Sequence, residues 1–377
     1  MNRPLTYRLL PLLMALGLLL PWVNHYAGWW KLENTENRTP AAWPAKALPF
    51  EQWPGRIDTA LSDRFPLRSV LMRSYGRLNL DIFHKSPIPT MAYLGSDGWM
   101  YITRKELATF DGSLRFSSGE SDSLLRKLQH RKQRLDSLGV RSLLVIAPVK
   151  QSIYPEFQPA FIRRLQAENR TDKLVAALRK AGYPVLDLRD SLRASKRNGI
   201  RMYHRSDNHW NRYGAFIAAR SIAAALGENV HAEAWQSGRG VRADSSGNPV
   251  SGNIAGMMAL GGIANEPDVR AVPGRSRSAS AIPYNWPVPS FSNSWEYQLR
   301  YTRPDSTQRR VLFIRDSFGS DVVPYLAEAC GELCAVFDEW NYGLNLKLVQ
   351  SMKPDWVVTM VIESNLDHLL YRTPFLE

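Results

Sequence analysis

Apolar residues along most of this chain alternate between the spacing of a helix and the spacing of a buried strand. Leu124, Leu128 and Leu135 recur at helical intervals, and Gly139 ends that pattern. The segment 142–147, Ser-Leu-Leu-Val-Ile-Ala, is a continuous apolar run of the kind that a strand buried on both faces needs. Helices alternating with such strands favour a sheet covered by helices on both faces.

The same alternation recurs toward the C-terminus. Helices are predicted at 67–83, 171–180 and 211–226, and strands at 183–188, 310–314, 335–337 and 356–362. Asp97-Gly98 stands between two short aromatic runs and predicts a hairpin. The rhythm fails at about 228–308, which is rich in Gly, Ser, Pro and Arg and is interpreted as a loop-rich insertion of loops and short strands near the site. We therefore predict a three-layer α/β domain with a mostly parallel, flavodoxin-like sheet over 91–377.

The N-terminus has a different character. Arg3 and Arg8 precede an uncharged apolar stretch at 9–23. Basic residues before such a stretch stay in the cytoplasm, and no Ala-x-Ala cleavage site follows it. We expect a cytoplasmic N-terminus at 1–8, a signal anchor or transmembrane helix at 9–23, and an extended arm leading into short helices at 24–90. The body of the chain would then lie in the periplasm, held at the inner membrane.

The composition argues against several classes of protein. The net charge is +13, but the basic residues are scattered, so no nucleic-acid partner is predicted. An anionic glycan, a membrane surface or a merely solvated basic face all fit this charge. The seven histidines are dispersed and no Gly-rich phosphate loop occurs, so neither a metal site nor a cofactor is expected. Cys330 and Cys334 could pair in an oxidising compartment, or each could be a small buried apolar residue.

Asp207 and His209 form the sharpest polar feature. They lie two residues apart in a polar, aromatic stretch just before a predicted helix. A carboxylate orients an imidazole and stabilises its protonated form, which leaves the other ring nitrogen free to activate a hydroxyl. Such a pair also occurs at helix caps and surfaces. His204 is the rival histidine, but Met202 stands where its carboxylate would be needed.

Ser317 lies where a buried strand runs into a tight turn and a predicted helix. A serine there is exposed at the sheet edge, and N–H groups at the start of the helix point to where an oxyanion would form. The sequence is not a Gly-x-Ser-x-Gly elbow, because Arg315 occupies the position of the first glycine. The alternative is that Asp316 or Ser317 only caps the helix.

Together these features resemble the SGNH-hydrolase-like proteins of bacterial exopolysaccharide O-acetylation, the alginate acetylation family of AlgJ and AlgX. The resemblance is carried by segments 36–38, 63–68, 95–99, 147–150, 154–156, 207–211 and 316–318. It implies that Ser317 is the nucleophile, His209 the base and Asp207 the orienting carboxylate, with the Asp-x-His pair preceding the serine. Arg315 departs from the glycine that the family often has, and 363–366 lacks the arginine of the family's Glu-Arg-Asn-Leu ending.

The resemblance implies an O-acetyltransferase that moves acetyl groups through Ser317 onto an exported polysaccharide. It also implies a membrane-bound O-acyltransferase as the partner that donates acetyl. A periplasmic carbohydrate esterase or deacetylase, and a non-catalytic glycan-binding scaffold, remain alternatives. Five side chains near the predicted strand ends or the Asp-His pair are candidates for sugar contact: Lys150, Tyr154, Tyr203, Arg205 and Trp210.

Overall fold

The computed structural model describes residues 6–29, 40–45, 47–65, 68–227, 242–244, 249–272, 279–283, 298–303 and 309–372. The strands, in chain order, are β1 (Ala92–Leu94), β2 (Met100–Ile102), β3 (Arg141–Ala147), β4 (Val185–Asp187), β5 (Arg242–Asp244), β6 (Val250–Ser251), β7 (Asn265–Glu266), β8 (Arg270–Val272), β9 (Ser280–Ala281), β10 (Gln298–Thr302), β11 (Arg310–Arg315), β12 (Glu332–Phe337) and β13 (Trp356–Ile362).

The α-helices are α1 (Thr6–Ala27), α2 (Trp53–Asp63), α3 (Arg68–Arg77), α4 (Arg104–Asp111), α5 (Ser118–Asp136), α6 (Lys150–Ile153), α7 (Arg170–Lys180), α8 (Leu188–Lys196), α9 (Arg212–Ala225), α10 (Asn253–Met257), α11 (Val323–Leu326), α12 (Leu346–Met352) and α13 (Leu366–Tyr371). A π-helical turn at Leu78–Ile82 continues α3, so the predicted helix at 67–83 is confirmed.

The centre of the molecule is a seven-stranded mixed sheet with the order β4-β3-β13-β11-β12-β10-β9. The first five of these strands pair in parallel, whereas β10 pairs antiparallel with β12 and β9 antiparallel with β10. The sheet is thus mostly parallel, as predicted. Its antiparallel edge comes from the segment that we interpreted as a loop-rich insertion.

The five parallel strands have the spatial order of a flavodoxin-like sheet with a permuted chain order. When β11 is counted first, followed by β12, β13, β3 and β4, the order across the sheet is 2-1-3-4-5. The strands that come fourth and fifth in this count are the first two along the chain. Residues that follow β4 therefore precede the serine that follows β11, which is the physical basis of the Asp-His-Ser order in the sequence.

Apolar residues at alternate positions of the strands form two separate hydrophobic cores, one on each face of the sheet. In β3, Leu143 and Val145 face a core formed with α8 and α9, whereas Leu144 and Ile146 face a second core formed with α5 and α7. Successive strand residues point to opposite faces, so one continuous apolar run serves both layers. The predicted three-layer architecture is confirmed.

The hairpin predicted at Asp97-Gly98 is present, with Tyr93 of β1 opposite Tyr101 of β2. Asp97 and Gly98 both have a positive φ, 52° and 74°, which is the backbone that a tight hairpin turn requires.

Other expectations differ from the structure. The expected arm is not extended throughout, because α2 occupies part of it, with Pro54 in the first helical turn, where its missing N–H costs nothing. The predicted strand at 183–188 is shorter, since Asp187 accepts a hydrogen bond from the Arg189 N–H and caps α8. Cys330 and Cys334 are both buried and free.

The apolar stretch at 9–23 lies within α1. Over the residues that the structure describes, no helix is both long enough and apolar enough to cross a membrane. The transmembrane helix expected at 9–23 is therefore not supported.

Candidate active site

Three polar side chains meet at the carboxyl edge of the sheet. Ser317 follows β11, while Asp207 and His209 lie in the loop between α8 and α9. His209 Nε2 is 2.9 Å from Ser317 Oγ, and His209 Nδ1 is 2.7 Å from Asp207 Oδ1. The three side chains form one continuous hydrogen-bonded chain, with each ring nitrogen of His209 facing one partner.

The carboxylate of Asp207 is held from several directions. Its Oδ1 also accepts the backbone N–H of His209 at 2.9 Å, and its Oδ2 accepts the N–H of Asn253 at 2.8 Å. Gly252, the N-cap of α10, makes this approach possible, because a Cβ there would lie 2.3 Å from the carbonyl oxygen of Ser206. The segment 252–253 therefore fixes the orientation of Asp207.

Electrostatics favour an ionised carboxylate beside a basic imidazole. Burial alone would raise the pKa of Asp207, but the hydrogen bond and charge of His209, with the Asn253 N–H, outweigh burial and hold the pKa below its usual range. Burial likewise opposes protonation of His209. The hydrogen bond and charge of Asp207 overcome it and raise the pKa of His209.

A buried carboxylate shapes the turn that carries Ser317. Asp316 is fully buried, and its Oδ1 accepts the Phe318 N–H at 2.9 Å. Its Oδ2 accepts the Tyr342 hydroxyl at 2.9 Å and the Ile362 N–H at 2.8 Å. Asp316 thus caps the Ser317–Gly319 turn, which was the alternative role considered for Asp316 or Ser317. The cap leaves the Ser317 hydroxyl in contact with His209.

Arg315 replaces the glycine of a nucleophile elbow without disturbing this turn. Its side chain is only 2% exposed and lies over the ring of Phe337. Its guanidinium donates to the Asp316 carbonyl at 3.1 Å and to the Ser320 hydroxyl at 2.9 Å. A Cβ at Gly319 would lie 2.6 Å from Arg315 Cδ, so glycine makes room for the arginine.

The helix predicted after Ser317 is broken. A 3-10 turn at Ser317–Gly319 is followed by α11, which spans only four residues and carries Pro324 in its first turn. A single turn has a weak dipole, so oxyanion binding would depend on individual N–H groups more than on a helix.

Lys150 is buried against the loop between α8 and α9 and does not face solvent. Its side chain is fully buried, and its ammonium donates to the carbonyl oxygens of His204, Arg205 and Asp207 at 3.2, 3.0 and 2.6 Å. Burial lowers its pKa to about 7, against the raising effect of nearby carboxylates such as Asp207. The geometry gives Lys150 a positioning role.

Most of the other predicted sugar contacts are also internal. Tyr154, Tyr203 and Trp210 are at most 4% exposed. The hydroxyl of Tyr154 accepts the Met202 N–H, and that of Tyr203 donates to the Pro148 carbonyl. The indole N–H of Trp210 donates to the Phe318 carbonyl at 3.0 Å. This hydrogen bond connects the loop that carries His209 to the turn that carries Ser317. Arg205 is the exposed member of the predicted set.

Sequence reasoning missed two buried carboxylates beside this loop. Glu106 accepts the amide of Asn208 at 3.1 Å, and its other oxygen has no partner among the described residues. Burial raises its pKa to about 7. Glu266 binds the N–H groups of Arg205 and Ser206, and pairs with Arg201 at 2.6 Å. Both come from distant segments without a local motif, so no sequence signal pointed to them.

The rival histidine, His204, does not contact Ser317 among the described residues. Its Nε2 is 3.9 Å from Asp268. Within the described ranges, no cluster of His, Cys, Asp and Glu residues could hold a metal ion.

These observations define a three-layer α/β protein with a side-chain arrangement of the Ser-His-Asp type at the carboxyl edge of its sheet. The family described as the SGNH hydrolase-like domain of the acetyltransferase AlgX matches residues 92–281, which is half of the chain. The chain belongs to this family. The matched segment includes Asp207 and His209, whereas Ser317 follows it.

Similar sequences carry related names. The chain is 26% identical over 230 residues to the probable alginate O-acetylase AlgJ of Pseudomonas syringae pv. tomato, covering 60% of this chain and 54% of that protein. It is 28% identical over 168 residues to the probable alginate O-acetylase AlgJ of Pseudomonas aeruginosa, covering 44% and 40%. The chain thus spans about half the length of these relatives.

Solved structures share the fold. A DHHW family protein from Eubacterium siraeum is similar with a TM-score of 0.54 and 14% identity, over 75% of this chain and 96% of that one. PatB1 from Bacillus cereus with a sulfonyl adduct is similar with a TM-score of 0.51 and 15% identity, over 74% and 99%.

Proposed function

We propose that this chain is a polysaccharide O-acetyltransferase that works through an acetyl-serine intermediate. The observation that carries the proposal is the hydrogen-bonded chain from Asp207 through His209 to Ser317, with distances of 2.7 and 2.9 Å. The names of the AlgJ relatives support the acetyl group and the glycan as substrates.

In the first step, Nε2 of His209 takes the Ser317 hydroxyl proton while Oγ attacks the carbonyl carbon of the donor's acetyl group. Asp207 holds the Nδ1–H of the imidazole, and its charge stabilises the imidazolium that forms. The Ser317 N–H at the start of the turn is a proposed donor to the oxyanion. The donor's leaving group departs with the proton from His209, and acetyl remains on Ser317.

In the second step, His209 takes the proton of a sugar hydroxyl as that oxygen attacks the acetyl-serine. The tetrahedral intermediate collapses, Ser317 Oγ leaves and recovers the proton from His209, and the sugar carries the acetyl group. The raised pKa of His209 suits a group that accepts and returns a proton in both steps.

We further propose that 91–377 forms the catalytic body and works outside the inner membrane, with a membrane-bound O-acyltransferase as acetyl donor. The basic residues Arg3 and Arg8 before the apolar stretch 9–23 support this orientation. Fusion of alkaline phosphatase to the C-terminus tests it. An active fusion agrees with export, and an inactive but stable fusion contradicts it.

The chemistry is tested by incubating the full chain, in a non-ionic detergent, with p-nitrophenyl acetate and measuring acetyl-enzyme by intact mass. We expect acetyl on Ser317, none in Ser317→Ala, and strongly slowed acetylation in His209→Ala. Matched controls are Ser118→Ala and His130→Ala, which remove exposed side chains of α5. Equal acetylation in the site variants and the controls would refute the mechanism.

The acceptor step separates the transferase from its rivals. When an oligosaccharide is added, a transferase places acetyl on the glycan, whereas an esterase or deacetylase releases acetate. A non-catalytic scaffold does neither, and Ser317→Ala would then leave polysaccharide acetylation in cells unchanged.

A further inference from the structure

A cavity with a volume of about 810 Å³ opens near the carboxyl ends of β3 and β4. A space of this size accommodates a small organic ligand. Buried polar residues line it, among them Ser152, Asn169 and Arg189, none more than 6% exposed. Ser152 follows β3, which lies two strand positions from β11, so strand spacing places the cavity roughly 10–15 Å from Ser317.

The walls of this cavity are strongly basic. Three of the lining cations are neutralised by carboxylates at 2.8 Å or less: Arg164 by Asp172, Arg189 by Asp187, and Lys196 by Glu156. Each of these three ion pairs has no net charge, so Arg164, Arg189 and Lys196 do not contribute to the positive charge of the cavity.

Three further arginines line the same space without such a partner. Arg163, Arg193 and Arg197 have no carboxylate within ion-pairing distance in the described part of the chain, and all three are exposed. Arg193 is also held in place, because its Nε and Nη2 atoms donate to the Ser152 carbonyl at 3.2 and 3.0 Å. A concave surface lined by like charges concentrates the field and attracts counter-ions.

We propose that this basic cavity binds a compact oxyanion with at least two negative charges, of the phosphate or polycarboxylate type. The planar fork of a guanidinium group can donate two parallel hydrogen bonds to a carboxylate or to a phosphate. A monoanion would leave most of the charge of Arg163, Arg193 and Arg197 uncompensated. The site lies apart from Ser317 and does not depend on acetyl transfer.

The test uses the full chain in a non-ionic detergent at physiological ionic strength. Pyrophosphate and citrate are titrated by calorimetry, with acetate at equal ionic strength as the monovalent comparison. We expect pyrophosphate or citrate to bind at one site per chain and acetate not to bind. Stronger binding of pyrophosphate identifies a phosphate ligand, and stronger binding of citrate identifies a carboxylate ligand.

The double variant Arg193→Gln, Arg197→Gln should raise the Kd by about tenfold or more, as expected for loss of charged hydrogen bonds. The matched control Arg179→Gln, Lys180→Gln removes the same charge from exposed residues of α7 that do not line the cavity. The Tm of each variant without anion verifies folding, and Ser317→Ala should bind normally. Absence of binding by both anions, or equal weakening in the control, would overturn the proposal.

Discussion

The Nζ atom of Lys150 lies 2.6 Å from the carbonyl oxygen of Asp207, although 57 positions separate the two residues in the chain. The same ammonium binds the carbonyl oxygens of His204 and Arg205. One buried cation therefore holds three carbonyl groups of the loop that presents His209. Without it, the carbonyl oxygens of His204 and Asp207 would lose this donor, whereas that of Arg205 would keep the N–H of Met100 at 2.9 Å.

Lys150→Met keeps the volume of the side chain but removes all three hydrogen bonds. We expect the Tm to fall and acetylation of Ser317 to decrease more than tenfold, because an unpartnered buried carbonyl costs roughly 1–3 kcal/mol and the loop would open to relieve it. Thermal unfolding and intact-mass kinetics measure the two effects. The control is Lys180→Met, an exposed lysine at the end of α7. Unchanged acetylation in Lys150→Met would show that the loop keeps its shape without the lysine.

The pH dependence of acetylation should report His209. General-base activity requires a neutral imidazole, so the rate should rise with pH, with a midpoint above the ordinary histidine value of 6.5 because Asp207 raises the pKa. Asp207→Asn removes that charge. We expect a lower His209 pKa by NMR titration and a rate reduced by about 10⁴-fold, as at other Ser-His-Asp sites. A midpoint below 6.5 in the unaltered protein would contradict this electrostatic account.

Glu106→Gln should change stability in a pH-dependent way. The pKa of Glu106 is raised from 4.5 to about 7 by burial, so its neutral form contributes stability that is present below pH 4.5 and lost as the pH rises through 7. Glutamine stays neutral at every pH. The variant should match the parent near pH 4.5 and exceed its free energy of unfolding above pH 7, by up to about 3 kcal/mol.

Denaturant unfolding at several pH values measures this difference. Acetylation should persist in Glu106→Gln, because the amide oxygen of glutamine still accepts a hydrogen bond from Asn208. Glu168→Gln, at an exposed position, serves as the control and should show no such pH dependence. A parallel pH dependence in both variants would rule out the buried carboxyl as its source.

Gly252→Ala should damage the site more than the fold. The added Cβ would lie 2.3 Å from the Ser206 carbonyl oxygen and 2.5 Å from the Asp207 nitrogen, so the segment must move and Asn253 would lose its contact with Asp207. We expect a large fall in acetylation rate with a smaller fall in Tm.

Gly119→Ala provides a matched glycine control in α5, since the Cβ that it would add has no described atom within 4 Å apart from its chain neighbours and the backbone of its own helix. That change should raise stability by about 0.5–1 kcal/mol through helix propensity and leave acetylation unchanged. An active Gly252→Ala variant would show that the Asn253 contact is dispensable.

Several errors in the sequence interpretation have a local physical cause. The helix α8 was missed because the apolar run of β4 continues into Leu188, while the side chain of Asp187 ends the strand and starts the helix. The pairing of β9 and β10 with the central sheet was not predicted, since β9 pairs with β10 and β10 pairs in turn with β12, 30 or more residues further along the chain. Pairing over such a distance has no signature within a short window of sequence.

The roles of the aromatic and basic residues near the site were also beyond sequence reasoning. Lys150, Tyr154 and Tyr203 were proposed to touch sugar because their types suit that task. In the structure their polar ends bind backbone groups of other segments. A polar side chain is equally suited to either use, and only burial distinguishes them.

The sequence by itself determined the three-layer architecture, the hairpin at Asp97-Gly98 and the choice of Asp207, His209 and Ser317 as candidate catalytic residues. These follow from hydrophobic periodicity and from short-range chemistry, which a chain expresses locally. Only the tertiary structure decided that Ser317 meets His209, that Lys150 and Glu106 lie buried beside their loop, and that three arginines without a carboxylate partner among the described residues share one cavity. The contacts of Ser317, Lys150 and Glu106 depend on tertiary packing, because each joins segments more than 50 residues apart in the chain.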